Sequence, residues 1–275
     1  MDTPLAPGLY IVATPIGNLG DITLRAVETL RGVSSVACED TRVAGKLLHH
    51  LGIKQRLIRY DDHASEETRD YILGLAAQAA VALVSDAGTP LIADPGFKLV
   101  RLARERGIAV TSLPGPSAAI MAITLSGIAG DRFLFAGFLP SKDKARRDAL
   151  TELAAIPSTL ILYETAPRLC DTLQGIADIL PGREVAVARE LTKKFEECRT
   201  GSPADLHAHY HANPPRGEIA LVIAPPEPAL PGEHDIDALL GEALATLKAS
   251  QAAAQVARAT GLDRKMLYAR AMELK

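Results

Sequence analysis

Several features that would announce a function are missing from this 275-residue sequence. Cysteine is scarce, with only Cys38, Cys170 and Cys198 present. None forms a CxxC pair or joins histidines at metal-ligand spacing. No metal site is expected, only three reduced and partly buried thiols. No apolar run is long enough to span a bilayer, and Asp2 and Pro4 do not suit a signal peptide. The expectation is a soluble cytoplasmic protein with no membrane attachment. A basic excess is also absent: 30 Lys and Arg face 33 Asp and Glu, for a net charge of -3. General affinity for polyanions is therefore not indicated. The short clusters Lys142, Lys144, Arg146, Arg147 and Lys193, Lys194 read as solvated surface. Finally, the glycine-containing segment Thr14-Pro15-Ile16-Gly17-Asn18-Leu19-Gly20-Asp21 is neither GxxxxGK[ST] nor GxGxxG, so it lacks the signature of a phosphate-binding loop.

What is present is apolar residue in abundance, 48% of the chain, alternating between strand-like and helix-like spacing. A chain of this length favours two domains. Strands are expected at 9–13, 35–38, 56–59, 81–85 and 109–113, separated by helices at 22–30, 43–50, 66–78 and 97–106. That order implies βαβ units and a mostly parallel sheet. Pro114-Gly115-Pro116 breaks the pattern, and Ser117 stands where it would N-cap a helix at 118–125. The second half carries strands at 133–138, 159–163, 185–189, 195–200 and 219–223, with helices at 146–154 and 168–179. A short turn between two of these strands points to antiparallel pairing and a mixed sheet. Pro225-Pro226-Glu227-Pro228 reads as a stiff linker before helices at 236–247, 250–259 and 264–274. The last two are split by Gly261 in helix-turn-helix proportions, but the signal is weak and most such pairs are plain helical hairpins packing on their own domain, which is the expectation here. The expected architecture is two α/β domains, 1–114 and 115–228, followed by a helical tail, 229–275.

Ligands of open parallel sheets collect at the carboxyl ends of strands. The loops there are rich in acid: Asp21, Glu39, Asp40, Asp86 and Asp94. Clustered carboxylates disfavour a polyphosphate. They suit a ligand with a cationic centre, an adenosine group and no phosphate, a description that S-adenosylmethionine meets. Gly88 would let backbone approach such a flat ligand.

Seven motifs in order carry a resemblance: TPIGNLGD, EDTR, SDAGTPLIADPG, LPGPSA, YETAPR, ARELTKKFEE and GEIALVI. Together they resemble the tetrapyrrole-methylase-like (class III) methyltransferase superfamily, and within it the ribosomal RNA small subunit methyltransferase I branch. The resemblance implies a cofactor, S-adenosylmethionine, folded between two domains. The positions it implies for cofactor binding are Pro15, Ala87, Gly88, Thr89, Ile92, Ser117, Ala118, Tyr163, Glu164, Leu191 and Glu218. It implies methylation of a cytidine ribose 2′-oxygen in small-subunit ribosomal RNA, with that RNA or the assembled subunit as partner, and a homodimer. A ribose hydroxyl must be aligned with the methyl donor and must lose a proton. Asp40 and His63, with Glu39 behind them, are the candidate acceptors, and the residues leave the choice open. Arg42 is a candidate for a phosphate contact, because a guanidinium pairs bidentately; it lies two residues from Asp40, and pairing with that carboxylate fits equally. Arg168, Lys193 and Lys194 are further candidate RNA contacts. Two rivals stand beside this reading: a tetrapyrrole C-methyltransferase, and a non-catalytic RNA-binding assembly factor on the same fold.

Overall fold

The computed structural model describes residues 4–227 and 233–274. They fall into two compact units, one ending at Pro225 and one beginning at Pro226.

The first unit holds two five-stranded sheets. The first comprises β1 (Gly8–Val12), β2 (Ser35–Cys38), β3 (Arg56–Arg59), β4 (Ala80–Val84) and β5 (Val110–Leu113). Their order is β3-β2-β4-β1-β5 and every pairing is parallel. The connecting helices are α1 (Leu24–Gly32), α2 (Thr41–His50), α3 (Glu66–Ala76) and α4 (Phe97–Glu105). Strands covered on both faces must be largely apolar, and β2 and β4 are buried at every position. Leu30, Val36, Val84 and Leu113 fill one face of the sheet, and Leu9, Ile72, Leu83 and Leu99 fill the other.

After β5 the chain enters α5 (Ala118–Ser126), and the second sheet follows. It is built from β6 (Phe133–Phe138), β7 (Thr159–Thr165), β8 (Val185–Arg189), β9 (Glu197–Gly201) and β10 (Glu218–Ile223). The order is β6-β7-β10-β8-β9, with β6 and β7 parallel and the remaining pairs antiparallel. Helices α6 (Asp143–Ala154), α7 (Leu169–Ile179) and α8 (Pro203–Ala212) complete this half. Ala119, Ala122 and Ile123 of α5 pack on the sheet with Ala188, Leu191 and Ala220, and Ile16 from the first half joins them. The two sheets thus share a seam inside one unit.

Several features differ from the sequence-based expectation, among them the start of β9, at Glu197 rather than at residue 195. Helix α8 was not anticipated. Ser202 caps it, its Oγ accepting the Asp205 N–H at 3.1 Å, and Pro203 occupies the first turn. Helix α1 starts at Leu24 rather than at residue 22, because Thr23 accepts the Ala26 N–H at 3.1 Å and a 3-10 turn at Leu19–Asp21 uses the preceding residues. Arg146 is not solvated: its side chain is only 5% exposed and donates to Asp143 at 2.7 Å.

The second unit is α9 (Glu233–Leu244), α10 (Ala249–Thr260) and α11 (Arg264–Glu273) around a core of Leu240, Ala253, Val256 and Leu267. Gly261 at φ 73° ends α10, and Asp263 caps α11.

Candidate active site

The exits of neighbouring strands in the first sheet are tied together by backbone. Beyond β1 and β4, Thr14 and Gly88 exchange N–H···O bonds at 2.8 and 3.0 Å. The Thr14 hydroxyl donates to the Ser85 carbonyl at 3.2 Å, and the Thr89 hydroxyl donates to the Pro116 carbonyl beyond β5 at 3.0 Å. Gly88 sits at φ 78°, where a side chain is strained, and a Cβ there would stand 3.3 Å from Ile16 Cγ2. At Gly115 a Cβ would lie 2.7 Å from that of Ala13, so glycine is what allows the β5 exit to close on the β1 exit. The result is a stiff floor of loops at the carboxyl ends of the strands.

The second half supplies the opposite wall. Tyr163, on β7, is edge-on to Phe135 and Phe138. Its hydroxyl accepts the Ala119 N–H at 3.2 Å and so satisfies a free donor at the start of α5. Ser117 makes no side-chain capping bond there, which corrects the expectation from sequence, and it lines the cleft instead. Between floor and wall is a cleft of about 930 Å³, mouth included. Four non-glycine residues among those described have left-handed backbone: Leu91, Ala93, Glu190 and Thr192. All lie in the two loops that flank the cleft, and such strain gathers at functional sites.

The electrostatics of the cleft are negative. Asp86, Asp94 and Glu218 all line it. Burial, followed by the charges of Glu39, Asp86 and Glu218, pushes the Asp94 carboxyl up to about 6. Lys193 also lines the cleft, but its Nζ donates to Glu190 at 3.0 Å. Its stem rests where a Cβ of Gly17 would be. Just outside the lining, the Asp40 N–H donates to Asp86 Oδ1 at 3.2 Å, which sets the start of α2 beside the rim. Asp40 caps α2 through the Arg42 N–H at 2.8 Å. Its carboxylate also takes the Arg42 guanidinium at 2.6 and 3.0 Å. Those bonds hold the Asp40 carboxyl well below the usual carboxylate range. Glu39 is shifted the other way, by burial first and then by neighbouring carboxylates.

Of the positions proposed from sequence for the cofactor, Ala87, Gly88, Thr89, Ile92, Ser117, Ala118, Tyr163, Leu191 and Glu218 line this one cleft. Glu164 does so too, yet its carboxylate turns inward, accepting from the Thr165 N–H and the Thr172 hydroxyl at 2.8 and 2.6 Å. Pro15 is not in the lining; its neighbour Ile16 is. Glu39, Asp40 and Arg42 stand together at the end of β2, and the Arg42 side chain is 85% exposed. His63 lies in an exposed turn, where its backbone N–H donates to Asp61 at 2.9 Å. Arg168 is turned inward, donating to the Leu139 carbonyl at 2.6 Å beside Glu164. Lys194 is exposed and sits over the ring of Phe195. Sequence reasoning counted Asp86 and Asp94 among the acids that suit a cationic ligand but did not name them as binding residues; nor did it name Ile16, Phe138 or Glu190, although Ile16 and Glu190 lie within the motifs that carry the resemblance. Among the described residues, no group of three or more His, Cys, Asp or Glu is arranged to hold a metal ion.

With this geometry established, comparison with known proteins is decisive. Residues 8–207 match the family described as Tetrapyrrole (Corrin/Porphyrin) Methylases. The chain belongs to this methylase family. Residues 231–275 match a second family, described as the RsmI C-terminal HTH domain, so the tail is of the helix-turn-helix type rather than a plain hairpin. The methylase is 62% identical to the ribosomal RNA small subunit methyltransferase I of Erythrobacter litoralis, across 99% of this chain and 97% of that one. It is 45% identical to the protein of the same name in Escherichia coli O157:H7, across 96% and 94%. Among solved structures it resembles the uroporphyrin-III-C-methyltransferase of Thermus thermophilus, with TM-score 0.55 and 20% identity over 79% of this chain and 94% of that one. Diphthine synthase gives TM-score 0.61 and 15% identity over 78% and 89%. At such identities these neighbours share the fold alone, which in this chain is one parallel and one mixed sheet with their helices.

Proposed function

We propose that this methylase transfers a methyl group from S-adenosylmethionine to small-subunit ribosomal RNA, at the 2′-oxygen of a cytidine ribose. One observation carries the cofactor reading: a carboxylate-lined, phosphate-loop-free cleft at the carboxyl ends of a parallel sheet. Its residues fit the donor. Ile16, Ile92, Leu191 and Tyr163 offer apolar surface to an adenosyl group. The backbone of Ala87, Gly88 and Thr89 can approach a flat ligand closely, because the loop at Gly88 carries no side chain. Asp86, Asp94 and Glu218 favour a cation over a polyphosphate. When bound, the donor supplies an electrophilic methyl group on positively charged sulfur. The RNA reading is supported by relatives of that name aligned over nearly the whole chain.

In this reading the chain's own residues position the ribose and remove its proton. Glu39 and Asp40 lie at the rim, joined to the cleft through Asp86. Of the two, Glu39 is the better base, because its raised carboxyl takes up a proton more readily than the arginine-bound Asp40. Asp40 then fixes the Arg42 guanidinium toward solvent, where it can meet a phosphate. His63 is an alternative acceptor from the neighbouring turn. Lys194 offers a further phosphate contact; Lys193 is tied to Glu190 in the same loop, and Arg168 is tied to the Leu139 carbonyl. With a net charge of -3, recognition depends on the shape of the assembled subunit more than on bulk charge. The protein works in the cytoplasm as a homodimer.

The test is methyl transfer from labelled donor to isolated small ribosomal subunits, set against a uroporphyrinogen-type substrate. Transfer to the subunits, with one ribose methyl found by mass spectrometry, supports the proposal. Transfer to the macrocycle alone would instead support the tetrapyrrole enzyme. Absence of donor binding would support the assembly factor.

A further inference from the structure

Among the carboxylates of the cleft, Asp94 sits in a closely constrained loop. Pro95 follows it, which narrows the backbone choices open to Asp94. Gly96, at φ 141°, leaves no room for a Cβ, which would meet Leu91 at 2.9 Å and Leu83 at 3.0 Å. Leu91 and Ala93 on its other side are both left-handed. Strain of this kind persists only where surrounding structure over-determines it. The fold therefore holds a partly buried carboxylate in the cleft wall at a cost in backbone energy.

No cation answers that carboxylate. Among the described residues Asp94 has no ion pair within 4.0 Å. A hydrogen bond with the Ser85 side chain favours the ionised form, and the charges acting on it are all acidic: Glu39 at the end of β2, Asp86 in its own loop and Glu218 at the start of β10. Tyr163 on β7 is affected by it in turn. Lys193, the nearby cation of the lining, is spent on Glu190. An anion so placed is stabilised by whatever positive charge enters the cleft.

We propose that Asp94 is the residue by which the cleft distinguishes the cationic methyl donor from the neutral thioether left after transfer. This rests on the reading of the cleft as the S-adenosylmethionine site and assigns one of its walls a task. S-adenosylmethionine and S-adenosylhomocysteine share the adenosine, the amino group and the carboxylate. They differ in the methyl group and in the charge on sulfur, so Asp94 favours entry of the donor and departure of the product.

The sign with pH follows. With its carboxyl near 6, Asp94 is largely protonated at pH 5 and ionised at pH 7.5. Donor affinity therefore rises by about tenfold across that range, one pH unit below the midpoint being worth a factor of ten. Product affinity changes much less.

The experiment is calorimetric titration of the full chain with S-adenosylmethionine and, separately, S-adenosylhomocysteine at pH 5 and 7.5, on wild type and Asp94→Asn. The expected result is a donor-to-product affinity ratio that grows with pH in the wild type and is small and pH-independent in the variant. A wild-type titration at pH 6 in buffers of different ionisation enthalpy covers the case in which the variant does not fold. It should show proton release on binding the donor and less on binding the product. Equal weakening of both ligands in Asp94→Asn, or equal proton release, would overturn the proposal and make Asp94 a general holder of the cofactor. If neither ligand binds the wild type, it is the reading of the cleft itself that fails.

Discussion

Asp40 has two tasks, and they can be separated by one atom. Its carboxylate caps α2 through the Arg42 N–H and also holds the Arg42 side chain. Asparagine keeps a capping oxygen but loses the charge. Asp40→Asn should therefore leave thermal stability close to wild type while turnover on ribosomal subunits falls at least tenfold and donor affinity stays within twofold, in line with a group at the rim rather than in the cleft. Unchanged turnover would remove Asp40 from the site. Asp94 predicts the opposite kind of outcome, one in stability. Its folded carboxyl stands near 6 against an ordinary 3.8, so the folded state holds the proton more tightly. The carboxylate then opposes folding increasingly as pH rises from about 4 through 6, and fully above that. Asp94→Asn should melt several degrees higher than wild type at pH 7.5 and at the same temperature at pH 3.5. A variant no more stable at pH 7.5 would mean the carboxylate is not under the strain described. This is the pattern of a group retained for function.

At the scale of elements, the cleft depends on loops that only glycine can close. Gly88→Val should lower donor affinity at least tenfold. The expected route is indirect: the new side chain forces φ away from 78° and presses on Ile16, a wall of the cleft, at 3.3 Å. Donor binding equal to wild type would show that the loop is not in contact with the cofactor. The alternation of five strands with four helices in the first half was legible because buried parallel strands are continuous apolar runs and their helices are amphipathic. The carboxyl-end loops were legible for the same reason, since strand ends locate them. Helix α8 was not, because its sequence PADLHAHYHA shows little apolar periodicity; the Ser202-Pro203 pair with Asp205 was the available signal. The opposite wall was legible only through the family motifs. Nothing local indicates that Tyr163 reaches the start of α5, or that Phe138 and Glu190 meet residues more than forty positions earlier in the chain. Tertiary packing creates those contacts, and single-sequence pattern does not encode them. The Asp40–Arg42 pairing was one of two alternatives in the sequence, and side-chain geometry decides for it.

For the whole molecule, the chain divides into two compact units after Pro225. Both sheets and the entire cleft lie in the first unit, and the helices of the second enclose a core of their own. A chain ending at residue 226 should bind S-adenosylmethionine with affinity within about twofold of full length, yet methylate small subunits much more slowly. That pattern follows if the helix-turn-helix unit contributes to holding RNA and not to holding the donor. Loss of donor binding on truncation would contradict it.

The measurement that tests the central claim most directly is a crystal structure of the chain grown with S-adenosylmethionine. The adenosyl group should lie between the Gly88–Thr89 loop and Tyr163, with the sulfur on the Asp94 side. A donor bound anywhere else on the molecule would contradict the account.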